Sequence, residues 1–325
     1  MVDVARVAGV ALSTVSRVVN GDPGARLNTV SKVQAAIREL GWEPDERARQ
    51  LRKGETDTLG AATRDISGPF SRSVERAARA DGLMLLAAST SPVEADEANV
   101  IRSLCRRRVD GLVVEPVGNH HQYLAHEIAN GLPVVAIDRP LPGISSDTVL
   151  SDNRGGISLA YSHLKAQGHE RIAYIGDSEK IFTGKVRAAT FRRFAGADYR
   201  RWTRTPGTDR VGVRRSAEEL LSDPLPPTAV ITGNNLITTE LLLHLGPELA
   251  GLALVGYDDV DWAELIRPAL TVIAQDYQAI GQAAVDLLCA RRADPGRSQV
   301  TITVPVSLIA RGSGERRPIV QRHRS

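Results

Sequence analysis

Apolar positions in the first 55 residues recur at helical spacing, and alternating strand patterns are absent. Val4, Val7 and Ala8 form one set, Val15, Val18 and Val19 a second, and Val30, Val33, Ile37 and Leu40 a third. Gly9 separates the first two sets, and Asn20-Gly21-Asp22-Pro23-Gly24 separates the second from the third. The spacing predicts three short helices with a tight turn after the first, the order of a helix-turn-helix. A three-helix bundle with no DNA role fits the same spacing.

From Leu59 the pattern changes. Short apolar runs at Leu59–Thr63, Leu83–Ala88, Gly111–Glu115, Val134–Asp138, Ile172–Gly176, Ala229–Thr232, Leu252–Val255 and Thr271–Ile273 are mostly separated by amphipathic stretches, such as Ile157–Gln167 and Ser216–Ser222. This βαβ alternation predicts parallel sheet with helices on both faces, either as one large sheet or as two lobes. Between the two regions, Asp45–Lys53 carries acidic residues early and basic ones late, which suits a helix dipole. A helix of that length is marginal alone in water and should order only when something docks on it. The Arg-rich end of the chain, with Pro318, is expected to be a solvated tail.

Composition narrows the class. A chain of 325 residues suggests two or three domains, and 42% hydrophobic with 24% charged residues is the ordinary globular range. Lys plus Arg exceeds Asp plus Glu only by 41 to 38, which argues neither for nor against nucleic acid. Cys105 and Cys289 are too few and too far apart for a disulfide framework or a zinc cluster. No apolar run approaches the ~18 residues that span a bilayer, and the first residues lack the apolar stretch of a signal peptide. A cytoplasmic protein is expected, with no membrane partner.

Several ordered motifs resemble the LacI/GalR family of bacterial transcription regulators. Asp3-Val4-Ala5, Ala8-Gly9-Val10 and Ser13-Thr14-Val15-Ser16-Arg17-Val18-Val19-Asn20-Gly21 resemble its helix-turn-helix signature. Glu39-Leu40-Gly41-Trp42-Glu43-Pro44 and Ala48-Arg49-Gln50-Leu51 resemble the approach to its hinge helix and the hinge helix itself. Further matches are Asp65-Ile66-Ser67-Gly68-Pro69-Phe70, Asp138-Arg139-Pro140, Asp152-Asn153, Gly168-His169-Glu170-Arg171-Ile172-Ala173, Gly256-Tyr257-Asp258-Asp259 and Arg311-Gly312. The set runs through nearly the whole chain in the family's order.

The resemblance implies an all-α helix-turn-helix DNA-binding domain followed by an α/β two-lobed effector domain like a periplasmic binding protein. The expected division is residues 1–44 for DNA binding, 45–58 for hinge and linker, 59–312 for effector binding and dimerisation, and 313–325 for the tail. It implies a repressor that binds a palindromic operator in double-stranded DNA as a homodimer, sits on the nucleoid, and answers to a small sugar or related polyol.

The implied DNA contacts are Leu12, Ser13, Thr14, Ser16, Arg17, Asn20, Ala48 and Leu51. Arg17 can donate a bidentate pair to guanine, whereas Ser13 is less selective and Leu12 offers only apolar contact, for example to a thymine methyl. Leu12 also fits a core position. Thr14, Ser16 and Asn20 match phosphate-contacting positions, which set register and carry little sequence information. Leu51 matches the residue that wedges into the minor groove and kinks the duplex, although packing against protein also suits it. Residues 1–54 hold nine Lys/Arg against six Asp/Glu, so shape and dimerisation must add to a mild electrostatic attraction.

Ligands of open α/β sheets bind beyond the carboxyl ends of strands. Asp65, Asp138, Asn234 and Asp258 follow or end predicted strands. By resemblance Asp138, Arg187, Asn234, Asp258 and Gln275 match effector-contacting positions; their acceptors and the Arg187 fork suit hydroxyl groups. Phe70, Phe182 and Trp262 are candidate apolar walls, or core. Asp138 and Asp258 also fit as helix caps.

Departures from the family are Ala11 where a Ser usually caps the recognition helix, Arg26 where a Ser is usual, and shortened stretches after Phe70, after Phe191 and after Asn234. The chain also begins almost inside the first helix, so a start upstream of Met1 is one expectation. No catalytic constellation, metal site or cofactor is indicated. Gly176–Val186 has the wrong spacing for a phosphate loop, with Val186 where Ser or Thr should hold magnesium. His120-His121 lacks further ligands nearby, and Cys105 beside Arg106-Arg107-Arg108 is either an activated thiol or a packed helix face. The alternatives are a periplasmic-type sugar-binding protein without a DNA role, and a divergent member with a weak effector response.

Overall fold

A computed structural model describes residues 1–22, 24–43, 55–91, 94–246 and 251–318. The chain divides into two units, Met1–Asp57 and Thr58–Ser325.

The three periodic sets of the first unit become α1 (Val2–Ala8), α2 (Leu12–Val19) and α3 (Leu27–Leu40). Val4, Ala5, Ala8, Val15, Val33 and Ala36 form their shared core. Val7 and Leu40 keep the period but remain exposed, because three short helices leave only a narrow stripe to bury. Gly9 and Gly41 end α1 and α3 with φ of 65° and 54°, the left-handed stop for which glycine is suited. Neither Ala11 before α2 nor Arg26 before α3 supplies a side-chain cap. Losing such a cap typically costs about 1 kcal/mol.

The second unit resolves the choice between one sheet and two in favour of two. The first lobe contains β1 (Thr58–Thr63), α4 (Pro69–Ala80), β2 (Met84–Ser89), α5 (Glu94–Cys105), β3 (Gly111–Val114), α6 (Ala125–Ala129), β4 (Val134–Ile137) and β5 (Asp147–Ser151). The second contains α7 (Asn153–Ala166), β6 (Ile172–Ile175), α8 (Phe182–Ala195), α9 (Tyr199–Trp202), β7 (Thr203–Arg204), α10 (Arg210–Leu221), β8 (Ala229–Thr232), α11 (Asn235–Leu245), β9 (Ala253–Tyr257) and β10 (Thr271–Gln275). The chain then returns to pack α12 (Tyr277–Ala293) on α4 and to lay β11 (Thr301–Val304) beside β5. Finally β12 (Val306–Ile309) pairs antiparallel with β10.

The sheet orders are β11-β5-β4-β3-β1-β2 and β12-β10-β9-β8-β6-β7. The chain therefore crosses between lobes after Ser151, after Gln275 and after Val304. Central strands such as β3, β4, β6 and β8 are buried along their length, as expected when helices cover both faces of a parallel sheet.

The expected solvated tail from residue 313 is corrected at its start. Ser313 is buried, and its hydroxyl donates to the Leu254 carbonyl at 2.6 Å. The Arg316 carbonyl accepts from His169 Nε2 at 2.7 Å. A short Arg-rich segment reads as solvated by composition, but its backbone and one Ser complete polar groups of the second lobe.

Candidate functional sites: a recognition helix and an interlobe polar cluster

On α2 the buried residue is Val15, while Leu12, Ser13, Arg17 and Asn20 face solvent and Thr14 and Ser16 are half-buried. Leu12 is 48% exposed, so its reading as a core leucine is overturned. A leucine opening a helix on the water side is a candidate contact surface rather than a packing residue. Asn20 Nδ2 donates to Ser16 Oγ at 3.3 Å, and Arg17 Nε donates to Asp22 Oδ2 at 2.7 Å. The hinge residues Ala48 and Leu51 lie outside the described residues.

In the second unit, Asp138 follows β4 and Asp258 follows β9, both with left-handed backbone at φ of 68° and 72°. That conformation is uncommon for residues other than glycine and clusters at functional sites. Neither caps a helix; Asp152, Asp209, Asn234 and Asp276 do so instead. The capping alternative for Asp138 and Asp258 is therefore overturned.

Asp138 is buried and accepts from Arg139 Nε at 3.0 Å and Nη2 at 2.8 Å. Burial opposes its ionisation, but the guanidinium groups of Arg139, Arg64 and Arg187 outweigh that and hold the carboxyl below its ordinary value. Arg64, on the loop after β1, donates to Glu115.

Arg187 lies on α8 and is buried. Its Nε donates to Asn153 Oδ1 at 2.6 Å and its Nη1 to the Gly233 carbonyl at 2.6 Å. Its guanidinium carbon lies 3.5 Å from the Tyr257 ring centre, a cation–π contact. Burial works against its charge, and Tyr257, Asp258 and Asp138 more than compensate. The Tyr257 hydroxyl is pushed up to about 12, by burial first.

Gln275, the last residue of β10, donates Nε2–H to Asp258 Oδ1 at 2.6 Å and accepts from the Ser151 hydroxyl. Tyr277 OH reaches the same Asp258 oxygen at 3.4 Å, and its ring meets Phe70 edge-on at 4.9 Å. Burial, with Asp258 and Asp138 nearby, keeps the Tyr277 hydroxyl protonated. Contacts thus run from Phe70 through Tyr277, Asp258 and Gln275 to Ser151, spanning both lobes at two crossings. Asn234 caps α11 through Oδ1 and donates Nδ2–H to Asp177 Oδ2 at 3.1 Å.

Asp138, paired with Arg139, and Asn234, paired with Asp177, make their own side-chain contacts beside this network, and three further expected effector residues are not joined to it by a side-chain hydrogen bond or ring contact among the described residues. Asp65 is exposed and accepts from Ser67 N at 2.8 Å and Oγ at 2.7 Å, organising its own loop. Phe182 is the first, half-buried residue of α8. Trp262 packs against the second lobe's core from the turn Asp261–Glu264. Sequence reasoning missed Arg64, Arg139, Asn153, Asp177, Tyr257 and Tyr277. Arg64 and Asp177 obey the same strand-end rule as Asp65 and were legible by it. Tyr277 was not, because only the chain's return to the first lobe brings it opposite Asp258.

The cluster offers acceptors at Asp258, Asp177 and Asp138, and forked donors at Arg187 and Arg64, beside the faces of Tyr257, Tyr277 and Phe70. That combination matches vicinal hydroxyl groups on a small apolar-faced ring. The activated-thiol alternative for Cys105 is overturned, because burial pushes it up to about 11. Among the described residues, no group of His, Cys, Asp and Glu is placed to hold a metal ion, and no helix is long and apolar enough to cross a membrane.

A three-helix head with an exposed second helix, followed by two α/β lobes around a polar cluster, defines a DNA-binding regulator with a ligand-sensing domain. Residues 1–45 match the lacI family of bacterial regulatory proteins, and residues 161–314 match the periplasmic binding protein-like domain. The chain is 32% identical over 329 residues to the ribose operon repressor of Escherichia coli K12, covering 96% of this chain and 99% of that one. The chain belongs to the lacI family of transcriptional regulators. A crystal structure of the lac repressor dimer bound to operator and an anti-inducer shares the fold at TM-score 0.82, with 24% identity, covering 96% of this chain and 98% of that one. A LacI family transcriptional regulator from Enterococcus faecalis V583 with bound ribose is 26% identical at TM-score 0.68, covering 81% of this chain and 99% of that one.

Proposed function

We propose that the chain is a repressor that binds a palindromic DNA operator as a homodimer and is controlled by a small sugar or related polyol. The observation that carries this reading is the pairing of a water-facing α2, with Leu12, Ser13 and Arg17 exposed, with a cluster at the lobe crossings in which Arg187 and Asp138 are buried and Asp258 is half-buried. Leu12, Ser13 and Arg17 read base edges; Thr14, Ser16 and Asn20 hold phosphate; Ala48 and Leu51 enter the minor groove from the hinge. Asp138, Arg187, Asn234, Asp258 and Gln275 hold the effector's hydroxyl groups, Phe70 and Phe182 wall the site, and Asp65 and Trp262 border it. The ribose named with two of the similar proteins supports a sugar of that size.

For the dimer, α11 supplies Leu236 and Leu243, one helix face apart by seven residues, at 57% and 71% exposure. The working division remains 1–44 for DNA binding, 45–58 for the hinge, and an effector domain from 59 that extends past 312 through the docked Ser313 and Arg316. The site of action is the cytoplasmic nucleoid. Effector and operator sites in such a switch are coupled by typically 1–3 kcal/mol, here through lobe closure that acts on residues 45–57.

The test is binding-site selection from random DNA by the purified full-length chain, followed by a thermal-shift screen of pentoses, hexoses and sugar acids. The expected result is an enriched palindrome whose binding is abolished by Arg17→Ala, and at least one sugar that raises the melting temperature and changes operator affinity. Enrichment of no site, or a sugar that binds without any effect on DNA affinity, refutes the reading.

A further inference from the structure

Arg17 is held in place by the loop that follows its own helix. α2 ends at Val19, Gly21 turns the chain with φ of 70°, and Asp22 returns alongside Arg17. The Asp22 N–H donates to the Arg17 carbonyl at 3.0 Å. One carboxylate oxygen, Oδ1, accepts from the Gly24 N–H at 2.8 Å, while Oδ2 accepts from Arg17 Nε at 2.7 Å. The carboxylate is thus anchored to backbone on one side and grips the guanidinium on the other. Gly24 completes the cradle, since a Cβ there would stand 3.1 Å from Arg17 Nη2 and 3.1 Å from Asp22 Oδ1.

A guanidinium carries five N–H donors in one plane. With Nε engaged by Asp22, the remaining edge presents Nη1 and Nη2 side by side, the pair suited to guanine O6 and N7. An exposed ion pair of this kind adds little to folding, and Asp22 places a negative charge in a segment with only nine Lys/Arg against six Asp/Glu over residues 1–54. That charge weakens attachment to phosphate, which is the sequence-independent part of DNA binding. The geometry points to Asp22 as a positioning residue that aims Arg17 at a base edge and suppresses binding to non-cognate DNA. Both effects raise selectivity, one by sharpening the specific contact and the other by lowering the background. This inference rests on the proposed role of α2 as the recognition helix.

The experiment measures the affinity of the full-length chain, at several salt concentrations, for its selected site, for that site with each base pair changed in turn, and for random DNA. Arg17→Lys, which keeps the charge and loses the forked donor pair, identifies the base pair that Arg17 reads. Asp22→Asn keeps the oxygen used by Gly24 but removes the charge; it is expected to lower discrimination at that pair by roughly tenfold, to tighten binding to random DNA, and to steepen the salt dependence by about one ion. Gly24→Ala changes no charge and should lower the same discrimination without altering the salt slope. Unchanged discrimination in both variants, or an equal loss at every base pair, overturns the positioning role while the recognition helix stands. A wild-type chain that selects no site refutes the recognition helix itself and the positioning role with it.

Discussion

Gln275 Nε2 lies 2.6 Å from Asp258 Oδ1, and the same amide accepts from the Ser151 hydroxyl across the lobe boundary. One side chain at a crossing therefore fixes a carboxylate of the second lobe and a hydroxyl of the first. Gln275→Ala removes both contacts and frees Asp258 to rotate. A hydrogen bond to a charged group contributes about 1.5–3 kcal/mol, so affinity for a sugar found by the thermal-shift screen should fall about tenfold to a hundredfold. Calorimetric titration of wild type and variant checks this, and equal affinities would remove Gln275 from the site.

Arg187 makes a stronger case, because it combines two hydrogen bonds at 2.6 Å with a ring contact at 3.5 Å. Arg187→Lys keeps the charge and loses the fork and the planar stack, so it is not conservative here. Sugar affinity should drop at least tenfold, and the melting temperature of the free protein should also fall because Asn153 and Gly233 lose their donor. Operator binding without sugar should persist. A variant that binds sugar as wild type does would exclude Arg187 from ligand contact.

Much of this was legible in the chain before its structure. Glycine punctuation and a 3.6 period gave α1, α2 and α3, and the strand-end rule singled out Asp138 and Asp258. β5 was not legible because Asp147-Thr148-Val149-Leu150-Ser151 mixes polar and apolar residues, and β11 and β12 are interrupted by Pro305. These are the segments, with α12, that recross between lobes. Tyr277, Asn153 and Ser151 were missed for that reason: their roles depend on which lobe receives the returning chain, and no local pattern encodes that. Leu12 fitted both a base contact and a core position by residue type, and its 48% exposure beside a buried Val15 leaves the core position out.

His169 gives a pH prediction with a definite sign. Burial holds its ring below the ordinary 6.5, against the opposing bond to the Arg316 carbonyl. A carbonyl only accepts, so Nε2 donates to Arg316 at 2.7 Å while Nδ1 takes the Thr228 hydroxyl at 2.9 Å. The unfolded chain gains a proton on this ring at about pH 6.5, the folded chain only at lower pH. The unfolded state therefore binds more protons between those values, and stability falls as pH drops through that window and levels off below it. His169→Gln lacks the titration. The stability difference between wild type and variant in urea should be largest near pH 7.5 and shrink toward pH 5. A difference independent of pH would contradict the assignment.

Gly281 is required by the contact between α12 and α4. A Cβ at Gly281 would lie 2.5 Å from the Ser73 carbonyl carbon and 2.6 Å from its oxygen, both backbone atoms. Neither can swing aside as a flexible side chain would, so the helices must separate. Such overpacking typically costs about 1–3 kcal/mol, and it falls on the helix that carries Tyr277 at its start and Ala293 at its end. Gly281→Ala should lower the urea midpoint of the effector domain and weaken sugar binding through Tyr277, while the isolated change Gly296→Ala, where the added carbon meets only Asp294 Oδ1 at 3.6 Å, should leave both nearly unchanged. Equal midpoints for the two variants would show that α12 and α4 have slack to absorb a methyl group. In that case the close approach would not be what holds Tyr277 opposite Asp258.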